Sequence, residues 1–346
     1  MGILKRYGKY LPISEKTPSV NLEEGSTPLV CLERLGDELG IELWAKLESC
    51  NPSGSFKDRG MVLAVAKALE DGARAIVCAS TGNTSASAAA YAAHVGIPCY
   101  VLLPSGHVAL GKLAQALIHG AKVISVEGNF DRALEMAREV SEKHGIAMVN
   151  SVNSYRIISQ KTGAWEICDT LSRAPDIHFI PVGNAGNISA YWAGYKDYAN
   201  LGKVSSLPRM IGIQAEGAAP LATGKPCPNP ETIATAIRIG NPVSARTALE
   251  AVSESGGAFE TVTDDEILAA QSMLAGKSGI FAEPASCATV AGLVKLKNSG
   301  RLRQGATVTI ILTGSGLKDP DVAISQATPP IKIGATMEEL TEALSL

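Results

Sequence analysis

The 346 residues carry 46% hydrophobic and 19% charged side chains and a formal net charge of -3. That balance describes a globular chain with material for an ample core, and the length suggests two domains. It gives no basic run suited to nucleic acid and no apolar stretch near the ~18 residues needed to cross a bilayer. The first twelve residues carry Lys5, Arg6 and Lys9 but no apolar segment of a signal peptide, so a cytoplasmic location is expected. The seven cysteines are scattered without a CxxC or Cys/His cluster, and the five histidines show no metal-ligand spacing. Buried thiols and no metal site are the expectation.

In chain order, Thr27–Leu32 and Ile41–Leu47 bracket a turn-like Gly36–Gly40 and read as a possible hairpin. Short apolar runs follow at Ala75–Ala79, Cys99–Leu103, Lys122–Val126, Ala147–Val149, His178–Val182, Met210–Ile213 and Thr307–Leu312. Between them lie helix-favouring segments: Met61–Asp71, Ser85–Val95, Phe130–His144 and Ile188–Tyr198. This alternation predicts an α/β fold of open, parallel-type sheets with helices on both faces. Gly217–Asn241, rich in Gly and Pro, reads as a long ordered loop over the site, and the tail beyond Pro329 as weakly attached.

Ligands of open parallel sheets collect beyond the carboxyl ends of strands, at helix N-termini. Four segments stand at such places. In Asn51-Pro52-Ser53-Gly54-Ser55-Phe56-Lys57-Asp58-Arg59-Gly60, a turn leads into a helix near Ser55 with Lys57 in its first turn. A helix N-terminus prefers anions, so a lysine there is either an ordinary exposed cation or a Schiff-base amine held against a cofactor. Ser80-Thr81-Gly82-Asn83-Thr84-Ser85 opens a helix straight after a strand. Its hydroxyls and backbone N–H groups suit a carboxylate or phosphate, although a plain N-cap by Ser80 or Thr81 would explain one of them. Gly183-Asn184-Ala185-Gly186-Asn187 lets backbone approach a phosphate. Neither GxGxxG nor the Walker pattern is present, which points to a small phosphorylated cofactor rather than a nucleotide. Thr313-Gly314-Ser315-Gly316 closes the series after the last strong strand.

These segments, in this order, resemble the motifs of fold-type II pyridoxal-phosphate enzymes, the tryptophan synthase beta-like family. The resemblance runs roughly from Glu24 to Asp319. The Lys57-Asp58-Arg59-Gly60 ending, the Ser80–Ser85 loop, Asn150-Ser151-Val152-Asn153 with Arg156, and the Thr313–Asp319 run are most similar to the threonine synthase branch. Ser315 stands where that branch often has histidine. The resemblance implies pyridoxal 5'-phosphate on Lys57, Asn83 at its 3' oxygen, Thr313 at its ring nitrogen, and its phosphate on Gly183, Asn184, Ala185, Gly186 and Asn187. It implies O-phospho-L-homoserine as substrate, held by Ser80, Thr81, Thr84, Asn150, Ser151, Asn153, Arg156 and Asn184. The implied reaction releases L-threonine and phosphate. A serine/threonine dehydratase is the alternative within the family. A smaller, mobile domain at 49–149, a larger cofactor-phosphate-binding domain of 1–48 and 150–346, and a homodimer are implied as well.

Overall fold

A computed structural model describes residues 1–105 and 110–345. Ten strands form two sheets: β1 (Leu29–Cys31), β2 (Glu42–Leu47), β3 (Ile76–Ala79), β4 (Cys99–Pro104), β5 (Lys122–Val126), β6 (Ala147–Met148), β7 (Ile177–Pro181), β8 (Arg209–Ala215), β9 (Ala258–Val262) and β10 (Thr307–Leu312). The larger sheet runs β1-β2-β10-β7-β8-β9 and the smaller β5-β4-β3-β6. Every pairing is parallel except that of β1 with β2.

Both faces of each sheet are covered, so successive strand residues serve different cores. On β10, Ile310 joins the layer with the Pro284–Asn298 and Asp264–Ser278 helices, while Ile311 faces the Gly186–Asn200 side. That is why these strands read as unbroken apolar runs.

The sequence expectations hold for all seven apolar runs, with shifts of one or two residues at their ends. Two points differ. β1 and β2 do pair antiparallel, but the segment between them is a helix, Glu33–Leu39, rather than a turn. Leu35, Gly36 and Leu39 make its buried face, and Gly40 ends it at φ +71°, a conformation glycine adopts without strain. The second is β9, an edge strand that pattern reading left out. Only one of its five residues is fully buried, so its apolar signal is weak. The stretch 217–241 carries only short helical turns, and 327–345 is almost wholly exposed.

The larger sheet, the Thr162–Leu171 helix and the lysine-bearing helix, Lys57–Glu70, are locked by a buried ion cluster. Arg59 gives two hydrogen bonds to Glu48 (2.7 and 2.8 Å) and two to Glu166 (2.7 and 2.9 Å). Further bonds reach Thr162 and Thr27. Lys46 adds 2.8 Å to Glu166. All four charges are buried and sum to zero. The two cations hold the Glu166 carboxyl far below the usual carboxylate range despite its burial. Removing one partner strands the others in the interior. Arg59→Met is expected to cost about 3–5 kcal/mol in denaturant unfolding, and a loss under about 1 kcal/mol would class the cluster with exposed pairs.

Candidate active site

Local chain chemistry brings the four loops to one place. The Lys57–Glu70 helix begins after a turn in which Gly54, at φ +83°, takes a left-handed conformation. Asp58 holds that turn: its carboxylate accepts from the Ser53 N–H and hydroxyl, both at 2.6 Å, and from Ser87 at 2.5 Å. The turn then pairs with the segment after β10. Ser55 bridges Gly314, the Phe56 N–H donates to the Thr313 carbonyl at 2.9 Å, and the Ser315 N–H to the Gly54 carbonyl at 3.0 Å. Lys57 therefore lies beside Thr313, although 256 positions separate them in the sequence.

Lys57 is half-buried, with Nζ 4.1 Å from the Phe56 ring centroid. Desolvation and the nearby Arg156 charge lower its amine from the ordinary lysine value to about 7, with Glu283 opposing. A neutral, nucleophilic amine near pH 7 is what such a position can supply.

Asn83 starts the Asn83–Val95 helix, whose N-cap is Gly82; neither Ser80 nor Thr81 caps it. Ser80 accepts from the Gly82 N–H instead. Thr81 and Thr84 flank Asn83, Thr84 being buried. The Asn83 amide donates 3.0 Å to Glu283, which also accepts from Thr313 at 2.9 Å.

The Gly183–Asn187 loop follows β7. Ala185 sits at φ +65° and the Gly186–Asn200 helix starts after it, so its first N–H groups converge without intrahelical partners. Asn187 is buried with neither amide atom bonded among the described residues. The loop over it is the 217–241 stretch: a Cβ on Gly183 would stand 3.0 Å from the Ile237 Cα. Asn184 accepts from the Ser244 N–H through its carbonyl at 3.1 Å.

Arg156 joins these parts. Its helix, Ser154–Gln160, packs on Gly60 of the lysine helix on one side and reaches Gly186 through Ile157 on the other. Arg156 is 2% exposed, its guanidinium donates to the Val149 carbonyl at 2.9 Å, and Nε has no partner among the described residues. No described carboxylate pairs with it, and burial lowers it to about 10. Asn150 bonds both ends of its amide to the Ala79 backbone, at 2.8 and 2.9 Å. Asn153 caps the Arg156 helix through Tyr155 and also bonds the Met148 carbonyl. Ser151 is half-buried in the turn between them. Glu283, Ser286 and Asp58 are the polar groups here that motif reading did not single out as site residues. Asp58 at least stood inside a quoted motif, but Glu283 had no such signal.

Among the described residues, no cluster of His, Cys, Asp or Glu could hold a metal, and no helix is long and apolar enough to cross a membrane.

A model of the family described as pyridoxal-phosphate dependent enzyme matches residues 20–314. Curated relatives include the threonine synthase of Halalkalibacterium halodurans, 57% identical over 94% of this chain and 91% of the relative. That of Synechocystis sp. is 53% identical over 96% and 87%. Solved structures share the fold at low identity. Maize serine racemase has a TM-score of 0.77 at 21% identity, over 90% of this chain and 94% of that one. The processed form of threonine deaminase isoform 2 from Solanum lycopersicum has 0.72 at 22%, over 88% and 89%. With the lysine, asparagine and phosphate loops assembled as above, the chain belongs to the pyridoxal-phosphate dependent enzyme family, among its threonine synthases.

Proposed function

We propose that this chain converts O-phospho-L-homoserine and water to L-threonine and phosphate, using pyridoxal 5'-phosphate on Lys57. One observation carries the substrate assignment. Arg156 is a buried guanidinium without a carboxylate partner among the described residues. An uncompensated buried charge is costly, so the site is built for an anion that arrives with the ligand. A planar fork of donors suits a phosphate. A dehydratase substrate carries no phosphate to meet it.

The residues fit the cofactor. The bare Asn187 amide, the left-handed Ala185 and the free first N–H groups of the following helix suit a phosphate. Asn83 would meet the 3' oxygen and Thr313 the ring nitrogen. Bound there, the cofactor supplies the electron sink that acidifies the substrate's Cα and Cβ hydrogens. Thr313 offers a neutral hydroxyl rather than a carboxylate to the ring nitrogen, which moderates that sink.

The chain's own groups do the rest. Ser80, Thr81, Thr84 and the adjoining helix N-terminus hold the α-carboxylate. The Lys57 amine takes the Cα proton and moves protons at the neighbouring carbons. Arg156, with Ser151 and Asn184, binds the γ-phosphate and stabilises charge as it departs. Asn150 and Asn153 set the loop that carries Ser151. Water then adds at Cβ. Residues 49–149 form the smaller, mobile domain in this reading, and 1–48 with 150–346 the larger. The family resemblance supports a homodimer in the cytoplasm.

Arg156→Leu is expected to cut kcat/KM for phosphohomoserine roughly 30- to 1000-fold. Cofactor content should stay unchanged and any side deamination of serine largely intact. Equal loss of both activities on one preparation would make Arg156 structural. Lys57→Ala should abolish turnover without unfolding the chain, and near-normal turnover would sink the assignment. The lowered amine also has a kinetic consequence. Its neutral fraction grows as pH rises through about 7, so recombination of the cofactor-free protein with pyridoxal phosphate should accelerate across that range. A rate that keeps climbing toward pH 10 would mean an ordinary lysine.

A further inference from the structure

The mechanism above leaves one buried carboxylate at the site without a task. Glu283 precedes the Pro284–Asn298 helix and is 4% exposed. One oxygen accepts from Thr313 at 2.9 Å and the other from Asn83 at 3.0 Å. The two donors come from different sheets: Asn83 follows β3 of the smaller, Thr313 follows β10 of the larger. No described hydrogen bond joins Asn83 to Thr313 directly, so Glu283 is their shared partner. The loop is shaped to allow this. A Cβ on Gly314 would lie 2.7 Å from the carboxyl group, so a larger residue there would displace the carboxyl from its place. Ser286 fixes the other side, with its hydroxyl 2.9 Å from that of Thr313 and accepting from the Gly314 N–H at 3.1 Å.

We propose that Glu283 is a positioning residue that couples Asn83 to Thr313, so that the two groups at opposite edges of the cofactor ring are set as one unit. This rests on the reading of Asn83 and Thr313 as ring contacts. An ionised carboxylate accepts only, so it dictates which way each partner turns. Asn83 must aim its NH2 group at Glu283, which fixes the direction left for the 3' oxygen. Thr313 must give its only proton inward, so toward the ring it offers lone pairs alone and pairs with the ring nitrogen when that nitrogen carries a proton. Burial raises the Glu283 carboxyl above its ordinary value, and the two accepted bonds with the nearby Lys57 and Lys318 work against that rise. A glutamine is nearly isosteric but keeps a single acceptor oxygen, so it cannot accept from both Asn83 and Thr313 as the carboxylate does.

The test is a double-mutant cycle read as cofactor affinity. Cofactor-free wild type, N83A, T313V and N83A/T313V are titrated with pyridoxal phosphate, and the set is repeated with E283Q. Each single variant should weaken binding by about tenfold, and the double by little more than the weaker single, because losing one partner already frees the other. With E283Q the two losses should multiply. Multiplying losses with Glu283 present, or unchanged coupling with E283Q, would overturn the proposal. Singles that bind the cofactor normally would overturn the reading of the ring contacts, and this inference with it. A carboxylate that serves only stability would lower the melting temperature and leave the coupling as it was. Should E283Q fail to fold, the wild-type cycle decides alone.

Discussion

The lysine depends on Arg59, two residues further along the same helix. A guanidinium has five N–H donors in a rigid fork, and burying it requires acceptors for all of them. Glu48 and Glu166 supply most, from the end of β2 and from the Thr162–Leu171 helix, with Thr27 and Thr162 completing the set. The cluster thus fixes where the first turn of the Lys57–Glu70 helix stands relative to β2 and the Thr162–Leu171 helix. Directional bonds do this better than apolar packing, which tolerates sliding. Lys46 balances the charge, so the cluster stands neutral inside the core.

The reactive region follows the opposite rule. Lys57 and Arg156 are both cations drawn out of water, and both are lowered from their ordinary values because no full counter-charge meets them. The Asn187 amide and the Arg156 Nε likewise have no partner among the described residues. Within one helix the chain passes from a saturated charge at Arg59 to an unsaturated one at Lys57. The first gives rigidity, and the second stores affinity for anions that arrive later. A rigid frame lets the unsatisfied groups keep their spacing rather than collapse on one another.

Much of this was legible in the sequence because parallel strands buried on both faces are written as plain apolar runs. β10 was bounded to the residue for that reason. The loops that follow were legible because Gly and hydroxyl residues cluster where helix N-termini receive anions. Other parts were not. The Glu33–Leu39 helix hid behind its two glycines, and β9 behind its half-exposed edge. Glu283 was invisible for a different reason. It sits in a Phe-Ala-Glu-Pro run with no periodicity, and its meaning comes from partners 30 and 200 residues away. Asn150 shows a further limit. Its place beside Arg156 was readable, but its attachment to the Ala79 backbone was not.

The span between Lys57 and Thr313 bears on how the protein comes into being. On the ribosome the lysine emerges early, and the β10 loop that pairs with its turn is made some 250 residues later. Translation at ~5–20 residues per second puts roughly 10 to 50 seconds between them. Glu166 is made 107 residues after Arg59, but until the loop after β10 exists the turn before Lys57 lacks Gly314. Until then the amine stands as an ordinary solvated lysine, mostly protonated and so less nucleophilic toward aldehydes. Its reactivity is acquired only when the far end of the chain closes over it, which makes cofactor capture a seal on completed folding.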